Sequence, residues 1–119
     1  MTVQRGDVVL LDYPFAAGGG SKVRPALVVQ NDFDNTLLVN TIVVMITSRV
    51  HRAAREPTQL LIDVSTPDGR QSGLMMNSAV NCANVFTIGK NKILRTLGHM
   101  PASIMAQVDV CLKAALGIS

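Results

Sequence analysis

Between Arg5 and Asp32 the chain reads RGDVVLLDYPFAAGGGSKVRPALVVQND, two β-branched apolar runs held apart by a segment that no regular element can include. Consecutive glycines from Gly18 to Gly20 leave the backbone too free for a helix or a strand, so the stretch is a strand, a loop and a second strand. Arg24 stands beside Pro25 at the mouth of that second strand. A guanidinium keeps its proton and forks onto phosphate oxygens, so an arginine there suits a phosphodiester. On spacing alone it equally suits a solvated loop arginine.

The rest of the chain is mostly strand-forming. Alternation and β-branched content predict strands at Asp7–Tyr13, Ala26–Gln30, Ile42–Thr47, Gln59–Val64, Ala79–Asn81 and around Arg95–Leu97. Asn31 to Asn35 reads as a turn or a single helical turn, because Asx side chains favour local bonding. Thr66 to Arg70 holds both Pro and Gly and reads as a turn. From Pro101 to Leu116 the period changes: Ile104, Met105, Val108, Cys111, Leu112, Ala115 and Leu116 make one helical face, and Gly117 is a natural C-cap. A sheet with one packed helix is a mainly β, α+β domain. At 119 residues, with no internal repeat or linker, residues 1–119 are expected to be one domain.

Composition removes several classes. Hydrophobic residues make up 48% of the chain, too many for disorder. The longest apolar run is Ile42 to Ile46, far short of the ~18 residues of a membrane span. The start MTVQRGD lacks the apolar segment of a signal peptide, which makes the cytoplasm the expected location. Cys82 and Cys111 have neither CxxC nor histidine spacing, and the alternation of Asp7, Asp12 and Asp32 does not gather their carboxylates. No metal and no cofactor are expected. The net charge of +3 is a modest bias toward polyanions, but Arg49, Arg52 and Arg55 form a basic stretch with no acid before Glu56. Such a stretch is either a solvated loop or an edge that guides phosphate. Tyr13, Phe15, Phe33 and Phe86 are the only aromatics, too few for a surface of several stacked bases. Tyr13 and Phe15 could stack a base beside the glycine loop or simply anchor it.

RGDVVLLDYPF, GSKVRPALVVQND, TIVVMITSR, SGL and VFTIGK follow one another in an order that closely resembles the MazF/PemK family of type II toxin–antitoxin ribonucleases, from about Arg5 to Gly117. The resemblance implies a small SH3-like bent barrel, shared with the gyrase poison CcdB, carrying a C-terminal α-helix. It also implies a twofold homodimer with a groove across its interface. The implied activity is a sequence-selective, metal-independent endoribonuclease, an mRNA interferase that inhibits growth. It would cut single-stranded RNA by 2′-hydroxyl attack, leaving a 2′,3′-cyclic phosphate and a 5′-hydroxyl. The family's catalytic Arg and Thr/Ser fall on Arg24 of RPALVV and Thr47 of ITS. Arg24 would neutralise the phosphorane and Thr47 would hydrogen-bond the phosphate or the 2′-oxygen. Gly19, Gly20, Ser21 and Lys22 in the loop, with Ser48 and Arg49 after the third strand, are the expected RNA-binding residues. Residues Ala16 to Lys22 are expected to act as a mobile lid. His51 lies among the basic residues after Thr47 and is of the residue type best suited to proton transfer, but the family needs no histidine there.

Expected partners are single-stranded RNA, a cognate acidic antitoxin and a second copy of the chain. Operator DNA would be met only through the antitoxin complex, and no membrane is expected. Two departures from the family's habit, Met75-Met76-Asn77 after SGL and Gly89 within FTIGK, make the groove less charged and bear on base preference. Two alternatives share the fold: a gyrase-inhibiting toxin, disfavoured by an ALGIS terminus without Trp, and an inactive DNA- or antitoxin-binding regulator.

Overall fold

The computed structural model describes residues 2–13 and 22–119, with only the backbone at Tyr13. In chain order the elements are β1 (Asp7–Tyr13), β2 (Lys22–Val28), α1 (Asp32–Leu37), β3 (Asn40–Thr47), β4 (Gln59–Ile62), α2 (Pro67–Arg70), β5 (Ser78–Gly89), β6 (Ile93–His99) and α3 (Ala102–Leu116). The strands form one antiparallel sheet in the order β4-β5-β3-β2-β1-β6. The mainly β, α+β class with a C-terminal helix is as expected. The barrel is an open one, with β4 and β6 as its edges.

Both faces of the sheet are apolar at its centre, and strand alternation sorts the residues between them. Val8, Leu27, Val44, Ile46, Val80 and Cys82 face α3, whose Ile104, Met105, Val108 and Cys111 complete that core. Val9, Leu11, Ala26, Val28, Val43, Met45, Ile88 and Ile93 form a second core on the other face. Helix α3 ends where Gly117 adopts φ +70°, the left-handed cap that a glycine supplies. Its apolar stripe is narrower than the sequence suggests, because Leu116 is exposed. Asn31 caps α1 by accepting the Asp34 N–H, which extends the expected single turn to six residues.

β3 starts at Asn40, two residues earlier than expected, β4 ends at Ile62 rather than Val64, β6 is longer at both ends, and the expected Thr66–Arg70 turn holds the short helix α2; β2 and β5 differ most. β2 begins at Lys22 and ends at Val28 because its length is set by pairing with β1, from Tyr13↔Lys22 to Val8↔Leu27. β5 runs from Ser78 to Gly89, well past Asn81. Its register against β3 jumps from Met45↔Asn81 to Val44↔Val85, a bulge that absorbs residues 82–84 and masks the alternation.

The RGD tripeptide is a structural corner. Gly6 has φ +99°, and a Cβ there would lie 2.9 Å from His99 Cε1. Asp7 accepts the Gln4 N–H and pairs with His99 Nδ1, each at 2.9 Å. Arg5 donates to the Val29 carbonyl and reaches Asp109 on α3 at 2.6 Å, tying the start of β1 to the last helix. No helix among the described residues is long and apolar enough to cross a membrane.

Candidate nucleic-acid interface

The β2–β3 ladder holds from Val28↔Val43 to Ala26↔Met45 and then stops, although both strands continue. Pro25 stands at that point. It has no N–H to offer a neighbour, so a ladder that ends beside it leaves no donor unmet. Arg24 and Thr47 lie two residues beyond the last pair on their respective strands. Ala26, Val28, Val43 and Met45 share one core, so Arg24 and Thr47, one alternation further along each strand, belong to that same face. Arg24 is exposed; its backbone pairs with Leu11 of β1, and among the described residues no hydrogen bond or ion pair engages its side chain. Thr47 is half-buried, and its Oγ1 accepts the Arg49 N–H at 3.1 Å.

Two clefts flank this unzipped end. The first, of about 680 Å³, has Lys22, Arg24 and Arg95 beside a floor that includes Leu10, Pro25, Ile46, Leu74 and Leu97. Met75 and Met76 also line it and are strongly exposed. Leu10 pairs with Pro25 on one side and Arg95 on the other, which brings an arginine of β6 beside the β2 site. The second cleft, of about 280 Å³, is lined by Thr47, Arg49, His51, Arg52, Gln59, Asn81 and Asn84. Neither lining contains a carboxylate. The first cleft, with Lys22, Arg24 and Arg95, favours polyanions at short range; on the second, Arg49 and His51 stand beside Arg52, which pairs with Glu56 at 3.8 Å.

The expected residues divide between these clefts. Lys22, Arg24 and Ser48 border the first, while Thr47, Arg49 and His51 border the second. Ser48 and Arg49 are consecutive and project to opposite sides. Gly19, Gly20, Ser21 and the rest of the expected lid before Lys22 lie outside the described residues, as do Phe15 and the Tyr13 side chain. His99 is engaged by Asp7, in neither lining. Sequence reasoning missed Arg95, Gln59, Asn81 and Asn84. Their places follow from cross-strand register and the β5 bulge rather than from any local motif.

Among the described residues no three His, Cys, Asp or Glu side chains gather as metal ligands do. Cys82 and Cys111 are free, buried and in contact with each other. Burial first, then the neighbouring Cys111, pushes the Cys82 thiol up to about 12, which keeps it protonated and unreactive at neutral pH.

An open six-stranded antiparallel sheet with a helix on one face and two clefts bearing basic side chains describes a small β-rich domain with a surface suited to polyanions. The chain belongs to the PemK-like, MazF-like toxins of type II toxin–antitoxin systems, whose sequence model matches residues 4–116. It is 31% identical over 119 residues to Endoribonuclease EndoA of Bacillus subtilis (strain 168), covering 99% of this chain and 97% of that protein. Its fold is similar to that of a mycobacterial endoribonuclease solved in complex with its cognate antitoxin. There the TM-score is 0.77 at 24% identity, over 98% of this chain and 97% of the other. A MazE–MazF structure from Deinococcus radiodurans gives a TM-score of 0.73 at 22% identity, over 100% and 99% of the two chains.

Proposed function

We propose that this toxin is an endoribonuclease that cuts single-stranded RNA at Arg24 and Thr47 without a metal ion. The observation that supports the reading is that Arg24 and Thr47, both just past the last β2–β3 pair, each line a cleft that holds basic side chains and no carboxylate in its lining. The similarity to Endoribonuclease EndoA over nearly the whole chain supports it. RNA carries its own nucleophile. The ribose 2′-oxygen bonds to phosphorus, the bond from phosphorus to the 5′-oxygen breaks, and the products are a 2′,3′-cyclic phosphate and a 5′-hydroxyl. The site's main tasks are alignment and charge stabilisation. The Arg24 fork neutralises the non-bridging oxygens, and the Thr47 hydroxyl fixes one oxygen in place. Lys22, Ser48 and Arg49 guide the backbone into the two clefts, and Gly19, Gly20 and Ser21 are the further residues expected to bind it.

The working form in this reading is a cytoplasmic homodimer held by an acidic antitoxin, with operator DNA met only through the antitoxin. The first cleft suits an antitoxin segment of alternating acidic and apolar residues. Lys22, Arg24 and Arg95 meet the acids, while the exposed Met75 and Met76 take apolar side chains. Such a segment would occupy the place of the RNA phosphates. The test is incubation of the purified protein with a long RNA in excess EDTA, followed by mapping of the ends. Cuts with cyclic phosphate and 5′-hydroxyl ends are expected. Activity that disappears in EDTA and returns with magnesium would overturn the metal-free chemistry.

A further inference from the structure

The second cleft holds two side-chain amides whose orientations are set by partners that cannot exchange roles. Asn81 Oδ1 accepts the Ala83 N–H at 3.1 Å. A backbone N–H only donates, so the oxygen must face it, and Nδ2 is left as a donor with no partner among the described residues. Gln59 Nε2 donates to Glu56 Oε2 at 3.0 Å. A carboxylate only accepts, so Gln59 is fixed the other way round, and its Oε1 is buried with no hydrogen-bond partner. Gln59 and Asn81 are direct partners in the β4–β5 register, so their side chains are neighbours on one face. Asn81 also opposes Met45, and Thr47 is the next residue of β3 on that face.

A free donor beside a free acceptor restricts what can bind. A phosphate oxygen could take the Asn81 amide but has nothing to give Gln59 Oε1, and an apolar group would satisfy neither. Nucleobases carry donors and acceptors side by side on their edges, and single-stranded RNA exposes those edges. A buried acceptor left unmet is costly, so a ligand that supplies the missing donor is favoured over one that does not. Turning the Gln59 amide about its broad terminal torsion brings Oε1 toward the cleft only as Nε2 leaves Glu56, so a base that donates to Oε1 takes the place of that bond. At about 280 Å³ the cleft is at the lower limit of small-molecule pockets, room for one ring edge.

We infer that the Gln59–Asn81 pair reads the edge of the nucleobase next to the scissile phosphate and so helps to set the sequence at which RNA is cut. This rests on the ribonuclease reading above. Asn81→Asp is the direct test: it keeps the oxygen that receives the Ala83 N–H and turns the free donor into an acceptor. Gln59→Leu removes the unmet acceptor and carries the test alone if Asn81→Asp does not fold. Both proteins and the wild type would be given the same mixture of long RNAs, and every cut end sequenced. The expected result is a change in base preference on the order of tenfold at one position beside the cut, the same position in both variants, with the other positions unmoved. Unchanged preferences in folded, cleaving variants would overturn the inference, as would a change spread evenly over the whole site. A wild type that leaves RNA intact would overturn the ribonuclease reading and this inference with it.

Discussion

Replacing Arg24 by alanine should abolish most catalysis while leaving the fold intact. The structure separates the two effects. Arg24 is exposed, its side chain has no hydrogen bond or ion pair among the described residues, and it lies beyond the last β2–β3 pair, so its truncation leaves no buried polar partner unmet among them. Surface changes of this kind usually move stability by no more than ~0.5 kcal/mol. The transition state is different, because a phosphorane gains charge at the position the fork addresses. Loss of one preorganised stabiliser of developing charge costs about 2.7–4 kcal/mol, a rate loss of roughly 10²–10³. Arg24→Lys should recover only part of that, because an ammonium restores the charge but not the two parallel donors. Single-turnover cleavage of a fluorogenic RNA, read beside thermal melts of all three proteins, checks both halves. Wild-type cleavage by Arg24→Ala would refute the site assignment. A rate loss matched by a large fall in melting temperature would refute the separation of site from fold.

Gly73→Ala should melt well below wild type, because Gly73 has φ +74° and a Cβ there would lie 2.0 Å from the Leu97 carbonyl oxygen. Left-handed strain alone costs about 1–3 kcal/mol; an unchanged melt would show that the loop moves freely away from β6. Asp32 is held below its ordinary value of 3.8, first by the Arg5 N–H and then by the Asn35 side chain. Its contribution is therefore present above that value and fades as pH falls through the lower folded one, so Asp32→Asn should flatten the acid limb of the stability curve, followed by denaturant melts. Cys82 runs the opposite way. With its proton retained to about 12 in the fold, against 9.0 ordinarily, stability should decline as pH climbs from about 9, and thiol reagents should label Cys82 only once the protein unfolds. Rapid labelling of the native protein at neutral pH would contradict its burial.

How far the sequence reached depended on whether a segment's signal was local. β1 was legible at both ends because its apolar run is bounded by Gly6 on one side and Pro14 on the other. Helix α3 was legible to within one residue because its apolar positions repeat at helical spacing and Gly117 closes it. The front of β2 was not, because Lys22, Val23 and Arg24 are exposed and are strand only through the hydrogen bonds of β1. The far half of β5 was hidden by its bulge, where Ala83 and Asn84 are exposed and break the alternation. The glycine of SGL became explicable only with β6 in place, since the Gly73 backbone passes too close to Leu97 for a side chain. Arg24 and Thr47 were found by family resemblance. Arg95, Gln59 and Asn81 had no such guide, since each joins a cleft only through its partner on another strand.

The carboxylates and the cations are used differently, and this bears on how function and stability are divided. Asp7 holds His99, Asp32 takes the Arg5 N–H, Asp109 takes the Arg5 guanidinium, and Asp68 accepts the Ser103 hydroxyl. These contacts fasten β1, α1, α2 and α3 to one another, and the Gly6 and Gly73 backbones fit closely against the same β6 end. Lys22, Arg24, Arg49 and Arg95 have no ion pair among the described residues and sit on the two clefts. Exposed cations contribute little to stability even when paired, so leaving them unpaired costs the fold almost nothing. At these four it also leaves no internal carboxylate for an incoming anion to displace, whereas Arg52 on the second cleft is paired with Glu56. Pro25 couples the two arrangements. Because it has no N–H to offer, the β2–β3 ladder can end at Ala26↔Met45, next to the stretch of β2 that carries the exposed Arg24.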